Sequence, residues 1–224
     1  MTQMDAAAYE SWYETPRGRW IGAREVALVI RALQRQSGES LLDVGAGTGY
    51  FTRAVGASNG HADAATVAVD INSAWMQYAQ QKSMQSAAMA YAVADARHLP
   101  FADAAFDLVM SITALCFIAE ERRAIEEILR VVKRRLVIGL LNRHSLLWWQ
   151  KGRNGGSGGY AGAHWHTASE VRALFHNLPV KNLKLMTAIH LPSASRCAKV
   201  LEATLPATMG TGAFMLVSVE PQQS

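Results

Sequence analysis

The chain has 224 residues, half of them apolar and 18% charged, which is the balance of a soluble globular domain with a core of ordinary size. Its net charge of +4 arrives without a Lys/Arg run, so a nucleic-acid-binding patch is not expected and scattered surface arginine or an anionic ligand accounts for the excess. No apolar run approaches the roughly 18 residues of a membrane span, the opening MTQMDAAAYESWYE lacks a basic segment followed by an apolar core, and Cys116 and Cys197 stand apart in no motif. A cytoplasmic protein is expected, with no transmembrane segment and no disulfide scaffold.

In chain order, residues 1–19 carry Tyr9, Trp12 and Tyr13 and end at Thr15-Pro16-Arg17-Gly18, a turn signal. Ile21, Val26, Leu28, Val29, Ile30 and Leu33 then predict an amphipathic helix over 20–35, closed by Gly38. SLLDV reads as a buried strand, followed by a glycine loop and a helix over 51–55. TVAVD, ending at Asp70, is a second strand, and Asn72 or Ser73 caps the helix NSAWMQYAQQK. Met89 to Ala94 and FDLVMSI (106–112) are two further strands. Between 120 and 132, Ala124, Ile125, Ile128, Leu129 and Val132 share one helical face, and RRLVIGLL gives a fifth strand to Leu141. Residues 151–163, KGRNGGSGGYAGA, hold six glycines and predict a mobile loop. Thr167 and Glu170 form a capping box for a helix from Ala168, and NLKLMTAIH and GAFMLVSVE close the chain as two strands.

Alternating helices and continuously apolar strands predict an α/β fold: a Rossmann-like, mostly parallel seven-stranded sheet with helices on both faces, a C-terminal antiparallel strand pair and an N-terminal helical, aromatic cap. One domain is expected, divided into a cap (1–35), a cofactor-binding core (36–141), a flexible substrate-side insertion (142–168) and a C-terminal helix with closing strands (169–224).

LLDVGAGTGYF, residues 41–51, carries the chemistry. A dinucleotide fingerprint would place its third glycine at position 50, which is Tyr50, and no phosphate-loop Gly-Lys-Ser/Thr follows. A tight G-x-G-x-G turn instead lets backbone approach a polar ligand closely. Asp43 offers a carboxylate to an ammonium group, directly or through water. Asp70 ends the second strand where a carboxylate accepts from ribose hydroxyls, and Asp95 follows the third strand where an acid accepts from an adenine amine. An amino acid, a ribose and a purine together make S-adenosylmethionine.

On these residues the chain resembles the class I S-adenosylmethionine-dependent methyltransferases, within them the bacterial type 11 group. LLDVGAGTGYFTRAV is similar to the first motif, AVDINSAWMQYAQQK to the second, and AVADARHLPFADAAFDLVMSITALCFI to the third-strand, Leu-Pro-Phe and fourth-strand region. The likeness runs from about Tyr9 to Phe175. The family's Lys-Pro-Gly-Gly turn before the fifth strand is shortened here to VVKRRLVIG. The resemblance implies that Asp43, Gly45, Ala46, Gly47 and Gly49 line the methionine half, Asp70 and Ile71 meet ribose and adenine, Asp95 and Ala96 the adenine edge, and Ser111 and Ile112 the sulfonium. Met76 is either helix core or a ligand contact. S-Adenosylhomocysteine is the implied product.

Tyr9, Trp12 and Tyr13 either pack on the sheet or form a lid over the sulfonium, with Arg17 or Arg19 and Asn142 as further substrate-side candidates. His144, His164, His166 and Tyr160 are the candidate general bases for an acceptor that needs one. His164 and His166 at i, i+2 lack a third ligand, so no metal site is expected. Leu146-Leu147-Trp148-Trp149 favours a small, partly apolar acceptor, and Cys116 reads as a buried apolar residue. Two other functions stay open: a cofactor-binding module without turnover, and a nicotinamide-dependent oxidoreductase. The chain carries no signature of oligomeric state.

Overall fold

Seven strands form one sheet in the order β3-β2-β1-β4-β5-β7-β6. This computed structural model describes residues 5–58, 64–84 and 88–222; the first four residues of the expected cap and the last two of the chain lie outside that set. β1 (Leu41–Val44), β2 (Thr66–Asp70), β3 (Met89–Val93), β4 (Phe106–Ile112) and β5 (Val132–Leu141) run parallel. β7 (Phe214–Pro221) is antiparallel to both β5 and β6 (Val180–Ala188). The seven-stranded mixed sheet and its antiparallel C-terminal pair are as the sequence predicts.

The chain steps outward from β1 to β3 and then returns to β4 on the other side of β1. Strand order therefore reverses between β1 and β4, and a crevice opens at their carboxyl ends, where sheets of this kind bind ligands. The strands bordering the crevice are the most deeply covered. Leu41, Leu42, Val44, Leu108, Val109 and Met110 have no exposed surface, so the crevice floor is rigid core.

Helices α1 (Ala6–Glu14) and α2 (Pro16–Leu33) correct the N-terminal expectation. Thr15-Pro16-Arg17-Gly18, read as a turn, bends the chain at Thr15 and then starts a helix at Pro16. Thr15 is the N-cap, its hydroxyl accepting from Gly18 N at 2.9 Å, and Pro16 takes the first helical position, where a missing N–H costs nothing. α2 ends at Leu33 because Gln34 adopts the left-handed conformation, φ 47°, so Gly38 plays no part in the stop. α3 (Tyr50–Gly56), α4 (Ser73–Lys82, capped by Asn72), α5 (Glu121–Val131) and α6 (Ala168–Leu174, with the full Thr167/Glu170 capping box) match their signals. α5 passes into β5 without an intervening residue, which is the shortened turn seen in the sequence.

Two regions hold elements that the sequence reading did not assign. Residues 148–160 fold into one π-turn and two 3-10 turns, closed by Ser157 N to Lys151 O and Gly162 N to Gly155 O. α7 (Arg196–Thr204) is a helix that periodicity missed, because its apolar Val200 and Leu201 face solvent. Its anchor is Glu202, buried and accepting from Ile189 N at 2.6 Å and His190 N at 2.8 Å. Glu202→Ala strands both amides, each costing about 1–3 kcal/mol. Urea unfolding should show a loss of roughly 2–4 kcal/mol, while a surface control such as Glu126→Ala changes stability by less than about 0.5 kcal/mol.

Candidate active site

The loop between β1 and α3 is built from backbone that only glycine tolerates. Gly45, Gly47 and Gly49 all have positive φ, at 74°, 57° and 78°. A Cβ on Gly45 would lie 2.2 Å from the Ala114 Cβ, and one on Gly47 would lie 3.2 Å from the Trp75 ring. Gly45 N and Ala46 N both donate to Val69 O, which pins the loop to the end of β2. Across the crevice, Thr113 follows β4 with φ 58°, a strained conformation for a β-branched residue, held by its N–H to Gly139 O at 2.8 Å. Ser111, just before it, is fully buried with an unpartnered hydroxyl. Sequence reading missed Thr113, since nothing local marks it.

The three acids sit in different states. Asp70 is the brace of the loop: its Oδ2 accepts from Gly47 N and its Oδ1 from Asn72 N, both at 2.9 Å. Ile71 beside it is two-thirds exposed. Asp43 lies under the loop, buried, accepting the Thr52 hydroxyl at 2.6 Å. Burial and the charge of Asp70 push its carboxyl up to about 7, against the lowering effect of the Thr52 hydrogen bond. Asp95 makes a forked pair with Arg97, which holds it at about 2. Ala96 and Ile112 are buried, and Met76 is buried in the α4 core.

Tyr9, Trp12 and Tyr13 are joined by aromatic residues that the sequence did not group with them. Tyr13 stacks on Tyr50 with centroids 3.7 Å apart, and Tyr9 packs on Trp75 at 5.2 Å, so the cap closes over both flanks of the glycine loop. Glu10 pairs with Arg53, whose other nitrogen donates to Thr48 O in the loop itself. Sequence reading also missed Glu25. This half-buried carboxylate of α2 has no hydrogen bond among the described residues, and burial raises it to about 8. Its charge raises Tyr9, Tyr13, Tyr50 and Tyr160, whose shifts are set first by burial; Tyr160 reaches about 12. Tyr160 comes from the glycine-rich insertion, so tyrosines of three segments besides α2 lie within reach of the Glu25 charge. Arg17 is exposed and its charge is felt at Tyr160.

The remaining candidates separate. Asn142 is buried, its amide donating to Gly210 O and Gly212 O and its oxygen accepting from His144 N, so all of it ties loops together. His144 is exposed. His164 and His166 lie side by side with ring centroids 4.4 Å apart, and Glu121, 45 residues before His166, contacts His166 Nε2. The third donor missing from the sequence neighbourhood is thus supplied by α5. The Leu-Leu-Trp-Trp run divides: Leu147 is buried, Leu146 and Trp149 are exposed, and Arg153 stacks over Trp149. Cys116 is buried, its thiol pushed up to about 12 by desolvation.

Residues 42–138 match the family described as "Methyltransferase domain". An uncharacterized protein of Mycobacterium tuberculosis is 30% identical over 194 residues, 84% of this chain and 62% of that one, so the chain spans less than two thirds of that relative. A malonyl-[acyl-carrier protein] O-methyltransferase of Methylococcus capsulatus is 32% identical over 139 residues, 54% of this chain and 50% of that protein. Among solved structures, an S-adenosylmethionine-dependent methyltransferase of Thermotoga maritima, described as a possible histamine N-methyltransferase, superposes with a TM-score of 0.73 at 20% identity over 96% of each chain.

The state of Asp43 gives a pH test. Its folded value of about 7 stands above the ordinary 3.8, so across that window the folded chain binds more protons than the unfolded one. Stability therefore falls as pH rises from about 4 to about 7, and this contribution is level above that. Asn at position 43 does not titrate. Thermal melts of ligand-free protein should show the difference between Asp43→Asn and the parent moving in favour of the variant from about pH 4 to about pH 7; a difference independent of pH contradicts the assignment.

Proposed function

We propose that this protein, whose residues 42–138 match the methyltransferase-domain family and whose fold resembles that of an S-adenosylmethionine-dependent methyltransferase, transfers a methyl group to a small, partly apolar acceptor and leaves S-adenosylhomocysteine. The observation that carries the reading is the glycine loop. Three left-handed glycines, braced by Asp70, let backbone lie against Ala114 and Trp75 at the crevice, an approach that a Cβ at Gly45 or Gly47 would crowd. The unpartnered, buried Ser111 hydroxyl across the crevice fits the same ligand.

S-Adenosylmethionine, when bound, supplies an electrophilic methyl on a sulfonium, so the protein's share is binding, orientation and exclusion of water. Gly45, Ala46, Gly47 and Gly49 would hold the methionine half through backbone, with the acid of Asp43 beneath. Asp70 and Ile71 would meet ribose and adenine, and Asp95 with Ala96 the adenine edge. Ser111 and Ile112 would border the sulfur. Met76 is better read as core.

Tyr9, Trp12, Tyr13 and Tyr50 form the wall that keeps water out, and their faces favour a cation near them. Glu25, with Tyr9, Tyr13, Tyr50 and Tyr160 around it, is the acceptor-side group. Raised to about 8 and without a protein hydrogen bond, it is largely protonated at neutral pH and would take a proton from an acceptor N–H or O–H only as pH rises toward that value. Tyr160, raised to about 12, stays protonated and serves as a donor rather than a base. The relative described as a possible histamine N-methyltransferase is consistent with an amine acceptor, which a carboxylate within aromatic walls would favour.

Differential melting tests the reading: S-adenosylhomocysteine should raise the melting temperature by several degrees and NAD should not. In calorimetry, Asp70→Ala should weaken S-adenosylhomocysteine binding about 10- to 100-fold, since it removes both a ribose acceptor and the Gly47 brace. Unchanged affinity places the nucleoside elsewhere.

A further inference from the structure

We propose that Glu121, His164 and His166 form a binding site for one divalent transition-metal ion of the zinc class. Residues 164–166 lie alongside the end of β5 as a short parallel bridge, Asn142 to His166. Strand-like alternation sends His164 and His166 to one face and Trp165 to the other, where it is buried in the core. Three backbone bonds fix this segment: His164 N to Cys116 O at 2.7 Å, His166 N to Leu141 O at 2.8 Å and Arg143 N to His166 O at 2.9 Å. The two imidazoles are therefore set by the sheet, not by a free loop.

Glu121, the first residue of α5, faces them from a different element. Both its oxygens lie 3.0 Å from His166 Nε2, and one donor atom from each of the three residues falls within 4.8 Å of the others. Zinc bonds of about 2.0–2.2 Å place tetrahedral donors about 3.3 Å apart, so side-chain adjustment of about 1–2 Å closes the set. His166 is fully buried, and Nε2 is the ring nitrogen turned to Glu121, so Nε2 is the atom that would ligate; the unpartnered Nδ1, on the far edge of the ring, is not part of the donor set. Two imidazoles and one carboxylate suit zinc and its neighbours better than magnesium or calcium. Three protein ligands leave one position open, and His164 is exposed, so that position faces solvent and is available to an oxygen or thiolate ligand. The site lies at the carboxyl end of β5, on the same edge of the sheet as the glycine loop, and does not depend on the methyl-transfer reading.

Titration of untagged, chelator-treated full-length protein with cobalt(II) tests it. The expected result is one equivalent bound with the visible absorption of a four- or five-coordinate ion, displaced by zinc. Calorimetric zinc affinity should fall about 100-fold or more in His164→Ala and in Glu121→Gln. His164 is exposed, so its variant should retain the parent's melting temperature. His176→Ala, an exposed histidine outside the cluster, should bind zinc as the parent does. Absence of a cobalt band, parental affinity in His164→Ala, or an equal loss in His176→Ala overturns the proposal.

Discussion

The hydrogen bond from Gly47 N to Asp70 is the contact on which the crevice depends. It joins the loop after β1 to the end of β2 and holds a turn whose glycines all lie in left-handed conformations. Those conformations carry the entropy cost of glycine, and within the loop one backbone bond, Gly49 N to Ala46 O, offsets it. The bond to Asp70 and the two bonds to Val69 O add to it from the neighbouring strand. The result is backbone that lies close against Ala114 and Trp75 at the crevice, on a floor of fully buried β1 and β4 residues.

Around this turn the electrostatics share one direction. Asp43 and Glu25 are both raised by burial, and among the described residues neither has a cationic hydrogen-bond partner. A carboxylate kept from water without a counter-charge is unfavourable unless it is protonated or a ligand brings the charge. A sulfonium nucleoside with an ammonium group is such a ligand, and aromatic rings on the cap add faces that attract cations. By contrast, Asp95 and Glu170 are lowered, and each is paired with arginine, so they are settled within the protein. Carboxyls raised by burial without a cationic partner mark the places where the fold leaves charge for something else to meet.

The β5 side is organised differently. Asn142 spends its side chain on loop carbonyls and Trp165 fills the core, which turns the residues after β5 from a loop into a fixed shelf. His164 and His166 are presented from that shelf toward α5. The glycine-rich run before it packs Tyr160 against Trp165 and toward the Glu25 cluster, so the insertion serves both edges of the crevice.

The sequence by itself determined the alternation of apolar strands and amphipathic helices, the shortened turn between α5 and β5, the glycine loop and the acids that close β2 and follow β3. Each of these is local: a period, a cap or a spacing read within about twenty residues. Where a local signal reads as a turn, as at Thr15-Pro16, or no periodicity marks a helix, as with the outward-facing Val200 and Leu201 of α7, packing settled the outcome. Glu25, Thr113 and Glu121 belong to the tertiary structure alone. Their positions depend on which helix faces which strand end, and a carboxylate on a helix looks the same in sequence whether it meets water, four tyrosines or two histidines. Only the reversal of strand order at β1 and β4 brings the cap, the insertion and the start of α5 to one edge of the sheet, because that edge is where every parallel strand ends.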